Sequence, residues 1–201
     1  QAMDGMKKGQ WQTNIGRTLY GQNIGIWGYG KIGRKIAAYA RAFEMNVIIW
    51  GSITSRNKAI EDGFTAASSK EEFFTQSDIV TLHLRLTDST NGIVLKKDLD
   101  LMKSDSLLVN TSRAELIEKG ALWSAISSGK PGFLALDVYE NEPVFDVKFP
   151  YLLLPNAICT PHLGYAEKKS LELYFSQAFQ NVLDFVQGNN VHILNPGAIQ
   201  R

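Results

Sequence analysis

Cysteine is almost absent from this sequence: Cys159 stands alone among 201 residues. No intrachain disulfide can form, so stability must come from packing. The lone thiol lies in the apolar run NAICT, where a small buried hydrophobe is the expected role. No apolar stretch approaches the ~18 residues that a membrane-crossing helix needs, and no secretory signal pattern opens the chain. A soluble cytoplasmic protein without a membrane partner is the resulting expectation. Neither sign of charge dominates, with 21 basic against 20 acidic side chains. This balance removes the electrostatic footprint by which nucleic-acid binders are recognised. Repeats and low-complexity stretches are missing too. What is plentiful is hydrophobic surface, 44% of residues, enough for one substantial core.

The apolar residues fall into short runs alternating with longer amphipathic ones. Strands are expected at 22–27, 46–50, 64–66, 78–82, 106–110, 133–137 and 157–160. Between them helices are expected at 31–43, 55–62, 70–76, 95–102 and 118–128, and a long one follows at 167–186. In the first of these, Ile32, Ile36, Ala37 and Ala40 share one face. Ser69 is a suitable N-cap for the helix at 70–76, with Glu71 and Glu72 in its first turn. The last helix carries apolar residues on more than one side, which implies several packing partners. Strands alternating with helices predict an α/β fold, a doubly wound parallel sheet covered on both faces. Residues 1–21 read as a lead-in helix and linker anchored by Trp11 and Leu19. Residues 22–188 read as a single dinucleotide-binding Rossmann domain. Residues 189–201 read as an exit segment in which His192 is plain surface.

Gly28, Tyr29, Gly30, Lys31, Ile32 and Gly33 spell G-x-G-x-x-G. Alone the pattern is weak, but here it follows a strand and opens a helix. The first glycine permits the tight turn. The second lets backbone approach a pyrophosphate, and the third lets the helix lie close on the strand. Phosphates would then meet free N–H groups at the helix N-terminus. A site selective for NAD usually has Asp or Glu at the end of the second strand. This chain has Trp50-Gly51-Ser52 there, followed by Ser55 and Arg56. Ser52 and Arg56 are candidates to receive a 2′-phosphate; Arg56 reads equally as a solvated charge at a helix start. NAD or NADP is therefore the cofactor expectation, with a chemical tilt towards NADP.

Three further positions lie just after strands, where an open parallel sheet places its ligand crevice: Arg113 in NTSRAELI, Glu142 in ALDVYENEP and His162 in TPHLG. Together with GYGKIG and the strand-end HLRLT at His83, these motifs occur in order from about Trp11 to the end. In them the chain resembles the D-isomer-specific 2-hydroxyacid dehydrogenases, a family that includes D-3-phosphoglycerate dehydrogenase and glyoxylate/hydroxypyruvate reductases. The resemblance implies that His162 is the acid/base acting on a carbonyl oxygen as hydride moves to or from the nicotinamide. It implies that Glu142 is the partner of that imidazole and that Arg113 is the bidentate clamp on the substrate carboxylate. Asp137 would hold the nicotinamide carboxamide, while Thr111 with its neighbours Asn110 and Ser112 would form the turn beneath the cofactor. His83 and Leu84 would line the cofactor; His83 reads equally as a structural residue. Two departures mark a divergent branch. Arg113 is followed by Ala114 and Glu115 in place of the usual glycine, and TPH is followed by Leu163-Gly164-Tyr165.

The family builds its site between two domains, and most of the substrate domain is absent here, since only 27 residues precede Gly28. The resemblance thus implies the cofactor half of an enzyme acting on a small 2-keto or 2-hydroxy acid, slow or inactive as an isolated chain. A homodimer formed through the cofactor domain is also implied, with Trp11 as a contact. A second reading is a non-enzymatic module in which NAD(H) occupancy tunes protein binding, as in relatives resembling the C-terminal binding protein corepressors. Formate dehydrogenase ranks lower, because it typically has Gln where this chain has Glu142.

Overall fold

The computed structural model describes residues 2–12, 15–189, 193–195 and 197; His192 lies outside the described residues. The chain divides into two compact units, Gln1–Cys159 and Thr160–Arg201. The first holds a seven-stranded sheet: β1 (Asn23–Trp27), β2 (Asn46–Trp50), β3 (Thr65–Ala66), β4 (Ile79–Leu82), β5 (Leu107–Asn110), β6 (Phe133–Leu136) and β7 (Ala157–Cys159). The strand order is β3-β2-β1-β4-β5-β6-β7 and every pairing is parallel. The order reverses between β1 and β4, so a crevice opens at their carboxyl ends, as expected of a doubly wound sheet.

Alternation along the strands sends side chains to two separate cores. Ile24 and Ile26 of β1 and Val47 and Ile49 of β2 join Ala37 and Ala40 of α2 (Lys31–Ala42) and Ala59 of α3 (Ile53–Glu61). Trp27 and Ile48 point the other way. They meet Phe73 and Phe74 of α4 (Lys70–Gln76), Leu99 of α5 (Lys96–Leu99) and Leu122 and Ala125 of α6 (Ala121–Ser127). Trp27, Phe73 and Phe74 are mutually edge-on, with centroids 5.2–6.0 Å apart. Rings in this arrangement gain about 0.5–1.5 kcal/mol per pair beyond the area they bury. Gly25 makes the close approach of α4 possible. A Cβ there would collide with Ser77 Oγ and lie 2.8 Å from the Phe73 ring.

The lead-in segment begins with α1 (Ala2–Lys7). Its expected anchors are not buried: Trp11 is 74% exposed and Leu19 is also at the surface. Ile32 likewise turns outward from α2, whose buried positions are Gly33, Ala37 and Ala40. Two helices are shorter than the apolar pattern implies. After Leu99 the backbone tightens, as the N–H groups of Leu101 and Met102 bond three residues back to Asp98 and Leu99. At 118–120 the Glu118 N–H is taken by the Val94 carbonyl at 2.9 Å and Gly120 is left-handed at φ 75°, so α6 starts at Ala121. Short 3₁₀ turns at Ala114–Leu116 and Pro150–Leu153 complete this unit. Cys159 is half-buried beside the Tyr139 hydroxyl, not the fully enclosed thiol expected.

The second unit contains α7 (Lys168–Val186), capped by the Glu167 carboxylate, which accepts the Lys169 and Ser170 N–H groups at 3.0 and 2.8 Å. None of its residues is buried, and Phe175, Phe179, Val182 and Phe185 are all exposed. The several packing partners expected for this helix are not supplied by the described residues.

The Gly25 contact gives a direct test of the core. Gly25→Ala should lower stability by about 1–3 kcal/mol, the usual cost of overpacking, read as a fall in the urea midpoint. An unchanged midpoint would contradict the close packing of α4 on β1.

Candidate functional site

At the carboxyl end of β1 three strands meet backbone to backbone. The Gly28 N–H donates to the Trp50 carbonyl at 2.9 Å, and the His83 N–H donates to the Trp27 carbonyl at 2.8 Å. Gly28 has φ 105°, and a Cβ on it would lie 2.6 Å from the His83 carbonyl oxygen. A Cβ on Gly33 would strike the Gly28 carbonyl oxygen. Only glycine fits either place. Gly30 differs, because nothing lies within 4 Å of where its Cβ would be. The space over the second glycine is open, as the approach of a pyrophosphate requires.

Gly30 is also the N-cap of α2. It offers no side-chain cap, and the first turn carries no acidic residue. The N–H groups of Lys31, Ile32 and Gly33 are therefore left to an external acceptor, and the helix dipole favours an anion there. Tyr29 departs from its expected place in the cofactor set. Its ring is 6% exposed and packs edge-on against Phe64 at 6.0 Å, while its hydroxyl donates to Asp62 at 3.0 Å. The side chain belongs to the core; only its backbone faces the turn.

At the end of β2, Ser52 caps α3, accepting the Ser55 N–H at 3.2 Å and bonding the Ser55 hydroxyl at 3.1 Å. Arg56 is not the solvated charge that its position allows. Its guanidinium lies over the Trp50 ring at 4.7 Å and reaches the Ala67 carbonyl at 3.4 Å, while its Nε is buried without a partner. The carboxylates that follow it on and after α3 are engaged elsewhere: Glu61 with Lys58, and Asp62 with Lys58, Arg34 and Tyr29. Gly51, at φ 154°, occupies a conformation that side-chain-bearing residues rarely adopt.

At the end of β4, His83 Nε2 lies 3.0 Å from Thr81 Oγ1. Thr81 went unnoticed in the sequence, although two residues apart on a strand means one face. Burial lowers the His83 pKa, which keeps the imidazole neutral beside the glycine turn. Leu84 is half-buried, with its Cδ2 on the same side of Gly28.

Beyond β5, the Asn110 amide closes the turn that carries Arg113. Its Nδ2 donates to the Arg113 carbonyl at 2.9 Å, and its Oδ1 accepts the Ser112 N–H at 3.1 Å. The Ser112 hydroxyl ties this turn to β4 by donating to the Leu82 carbonyl at 2.7 Å. Thr111 and the Arg113 side chain are exposed. Beyond β6, the Asp137 N–H donates to the Asn110 carbonyl at 3.0 Å and its side chain is buried. Glu142 is exposed, and its Oε1 accepts the Tyr139 N–H at 2.8 Å. In the second unit His162 has φ 53°, unusual for a residue other than glycine. Its N–H donates to the Thr160 carbonyl at 3.0 Å, and its ring stands edge-on to Tyr165 at 5.5 Å.

Residues 1–164 match the model of the D-isomer specific 2-hydroxyacid dehydrogenase, NAD binding domain. The chain belongs to that family. It is 37% identical over 166 residues to the D-3-phosphoglycerate dehydrogenase of Methanocaldococcus jannaschii, a match covering 82% of this chain and 31% of that one. A phosphoglycerate oxidoreductase structure from Vibrio cholerae superposes with a TM-score of 0.87 at 51% identity, covering 93% of this chain and 61% of the other. A D-lactate dehydrogenase from Aquifex aeolicus, complexed with NAD and lactic acid, does so with a TM-score of 0.78 at 30% identity, with the same coverage of each chain. The chain thus spans from about a third to three-fifths of the length of these relatives. It is the NAD-binding domain of the family, and the open space over Gly30 and the uncapped start of α2 fit a dinucleotide. No helix among the described residues is long and apolar enough to cross a membrane.

His83 gives this site a titration with a definite sign. Its pKa is below the ordinary 6.5 in the folded chain. The unfolded chain therefore binds more protons between those two values, and stability rises with pH there. The contribution is fully present above about pH 6.5 and is lost as pH falls through the lowered value. NMR should find the His83 ring half-protonated below pH 6.5, and His83→Gln should flatten the fall in urea midpoint between pH 7 and 5. Half-protonation at or above 6.5 would contradict the buried, neutral ring.

Proposed function

We propose that the chain is the cofactor half of an oxidoreductase that moves hydride between NAD(P)H and a small 2-keto or 2-hydroxy acid. The observation that carries this reading is the family's motif order, intact on a sheet whose strand ends bear Gly28, Asp137 and the turn of Arg113. A bound nicotinamide supplies or accepts the hydride. The chain's own residues do the rest. The planar fork of Arg113 binds a substrate carboxylate in bidentate fashion. The imidazole of His162 gives a proton to the carbonyl oxygen during reduction, or takes it from the hydroxyl during oxidation. Glu142 is the carboxylate that supports this histidine in the family pattern. Asp137 is assigned to the carboxamide of the nicotinamide, and the free N–H groups of α2 to the pyrophosphate.

The same reading extends to cofactor choice. A 2′-phosphate is repelled where a carboxylate stands at the end of the second strand, and here that place holds Gly51. The Ser52 and Ser55 hydroxyls and the Arg56 guanidinium, steadied by Trp50, offer donors to it. NADPH should therefore bind more tightly than NADH, by about tenfold, the equivalent of roughly 1.4 kcal/mol. Arg56→Ala should remove most of that preference and leave NADH affinity within about twofold. Fluorescence titration of the chain with each nucleotide measures both. Equal affinities that Arg56→Ala does not alter would refute the assignment of Arg56; failure of both nucleotides to bind would refute the cofactor reading itself.

Turnover is a separate matter. The Arg113 side chain is exposed, and charge–charge attraction in water is weak. These 201 residues alone should oxidise NADPH with glyoxylate or hydroxypyruvate at least about 10²-fold more slowly than a two-domain relative, since water reaches the exposed Arg113. Rapid absorbance decay at 340 nm with either ketoacid would overturn this expectation.

A further inference from the structure

The segment between β6 and β7 encloses, with α6, a cavity of about 310 Å³ that the dehydrogenase reading leaves without a role. Four aromatic rings line it in series. Trp123 stands 5.5 Å from Tyr151 at 83°, Tyr151 stands 5.4 Å from Phe149 at 58°, and Phe149 stands 5.5 Å from Tyr139 at 87°. Successive planes are turned steeply against each other, as the walls of a box are, and Leu122 and Val138 add aliphatic surface. Ligand sites in proteins begin at about 300 Å³, and a dry apolar cavity of about 150 Å³ already takes benzene. The space here suits one or two rings.

Its polar groups narrow the choice. The Tyr151 hydroxyl has its pKa pushed up to about 12, by burial first and then by the negative charges of Glu140 and Cys159. It stays protonated, and it has no hydrogen-bond partner among the described residues. The Tyr151 side chain is half-buried, and its hydroxyl can turn to a ligand as a donor. Charged residues on the lining are Glu118, Lys119 and Glu140. All three are exposed, so they lie at the mouth where water and salt screen them, and the aromatic and aliphatic walls favour a neutral ligand. We propose that this cavity binds a neutral one- or two-ring aromatic compound bearing a hydrogen-bond acceptor, which the Tyr151 hydroxyl receives. The site is separate from the glycine turn. It does touch the segments that carry Arg113 and Glu142, because its lining includes Asn110, whose amide holds the Arg113 carbonyl, and Tyr139, whose N–H holds the Glu142 carboxylate.

Acetophenone, a one-ring ketone, is the probe. Titrated into the full chain and followed by calorimetry, it should bind saturably with one site per chain, and saturating NADPH should leave that binding in place. Tyr151→Phe, which keeps the ring, should weaken it three- to tenfold, as expected for one lost hydrogen bond. Trp123→Ala, which removes a wall at a half-exposed position, should weaken it at least tenfold. Circular dichroism checks that each variant is folded; if Trp123→Ala is not, Tyr151→Phe decides. Four results would overturn the proposal: no saturable binding to the folded chain, equal binding by the folded variants, displacement of acetophenone by NADPH, or saturable binding of tetramethylammonium in its place.

Discussion

Backbone touching backbone at the end of β1 is the constraint from which the rest of this fold follows. Gly28 lies against the His83 carbonyl, its own carbonyl lies against Gly33, and its N–H is held by Trp50. No side chain can be inserted at any of these contacts, so the spacing of β1, β2, β4 and the start of α2 is set by main-chain atoms alone. Such contacts are stiff, because interiors transmit a displacement and do not absorb it. The turn therefore has one geometry, and the uncapped N–H groups of α2 point where that geometry aims them. A phosphate site made this way needs no charged side chain, which agrees with a first helical turn that has no acidic residue and a Lys31 that is exposed.

The same stiffness explains how polar groups come to lie along the crevice without weakening the core. The core that holds Phe73 and Phe74 ends in Trp27 and Leu82, and the residue after each is backbone-bonded: Gly28 to Trp50, His83 to Trp27. The chain passes from apolar to polar within one residue. Each strand end then repeats a common device, a short local hydrogen-bond loop that fixes the next segment. Ser52 binds the Ser55 N–H, Thr81 meets His83, Asn110 binds Arg113 and Ser112, and Tyr139 binds Glu142. These loops cost little buried apolar area, since each uses residues at or just past the end of a strand.

What could be read in the sequence was whatever depends on local repetition. Short apolar runs placed all seven strands to within a residue or two, because a parallel strand covered on both faces is apolar along most of its length. The glycine spacing located the turn, because its reason is steric and local. Long-range competition was not legible. Tyr29 sits at a free position of the motif, yet Asp62 and Phe64, far along the chain, draw its ring into the core. The helix expected at 118 begins at Ala121 because Val94 claims the Glu118 N–H. Arg56 reads as a surface charge until Trp50 and Ala67 are seen beside it. The cavity next to α6 was invisible for the same reason: Trp123, Tyr139, Phe149 and Tyr151 show no periodicity, and only the path between β6 and β7 assembles them.

Affinity for the cofactor and power over the substrate thus rest on different physics. The residues assigned to the dinucleotide all lie in the first unit, at strand ends that the sheet holds rigid. Arg113 and Glu142 are anchored by their backbones or neighbours, and both residues are exposed. An exposed guanidinium discriminates little between one small anion and another, since screening flattens the differences that geometry would impose. For the function proposed above, discrimination among 2-keto acids has to come from whatever displaces the water around Arg113. Tyr165 stands edge-on to the proposed acid/base His162, and it narrows the space on that side of the ring. The sequence after Arg113 and after His162, where this chain departs from its family's usual pattern, is therefore where substrate choice would leave its mark, while the glycine turn can stay constant across enzymes that reduce quite different acids.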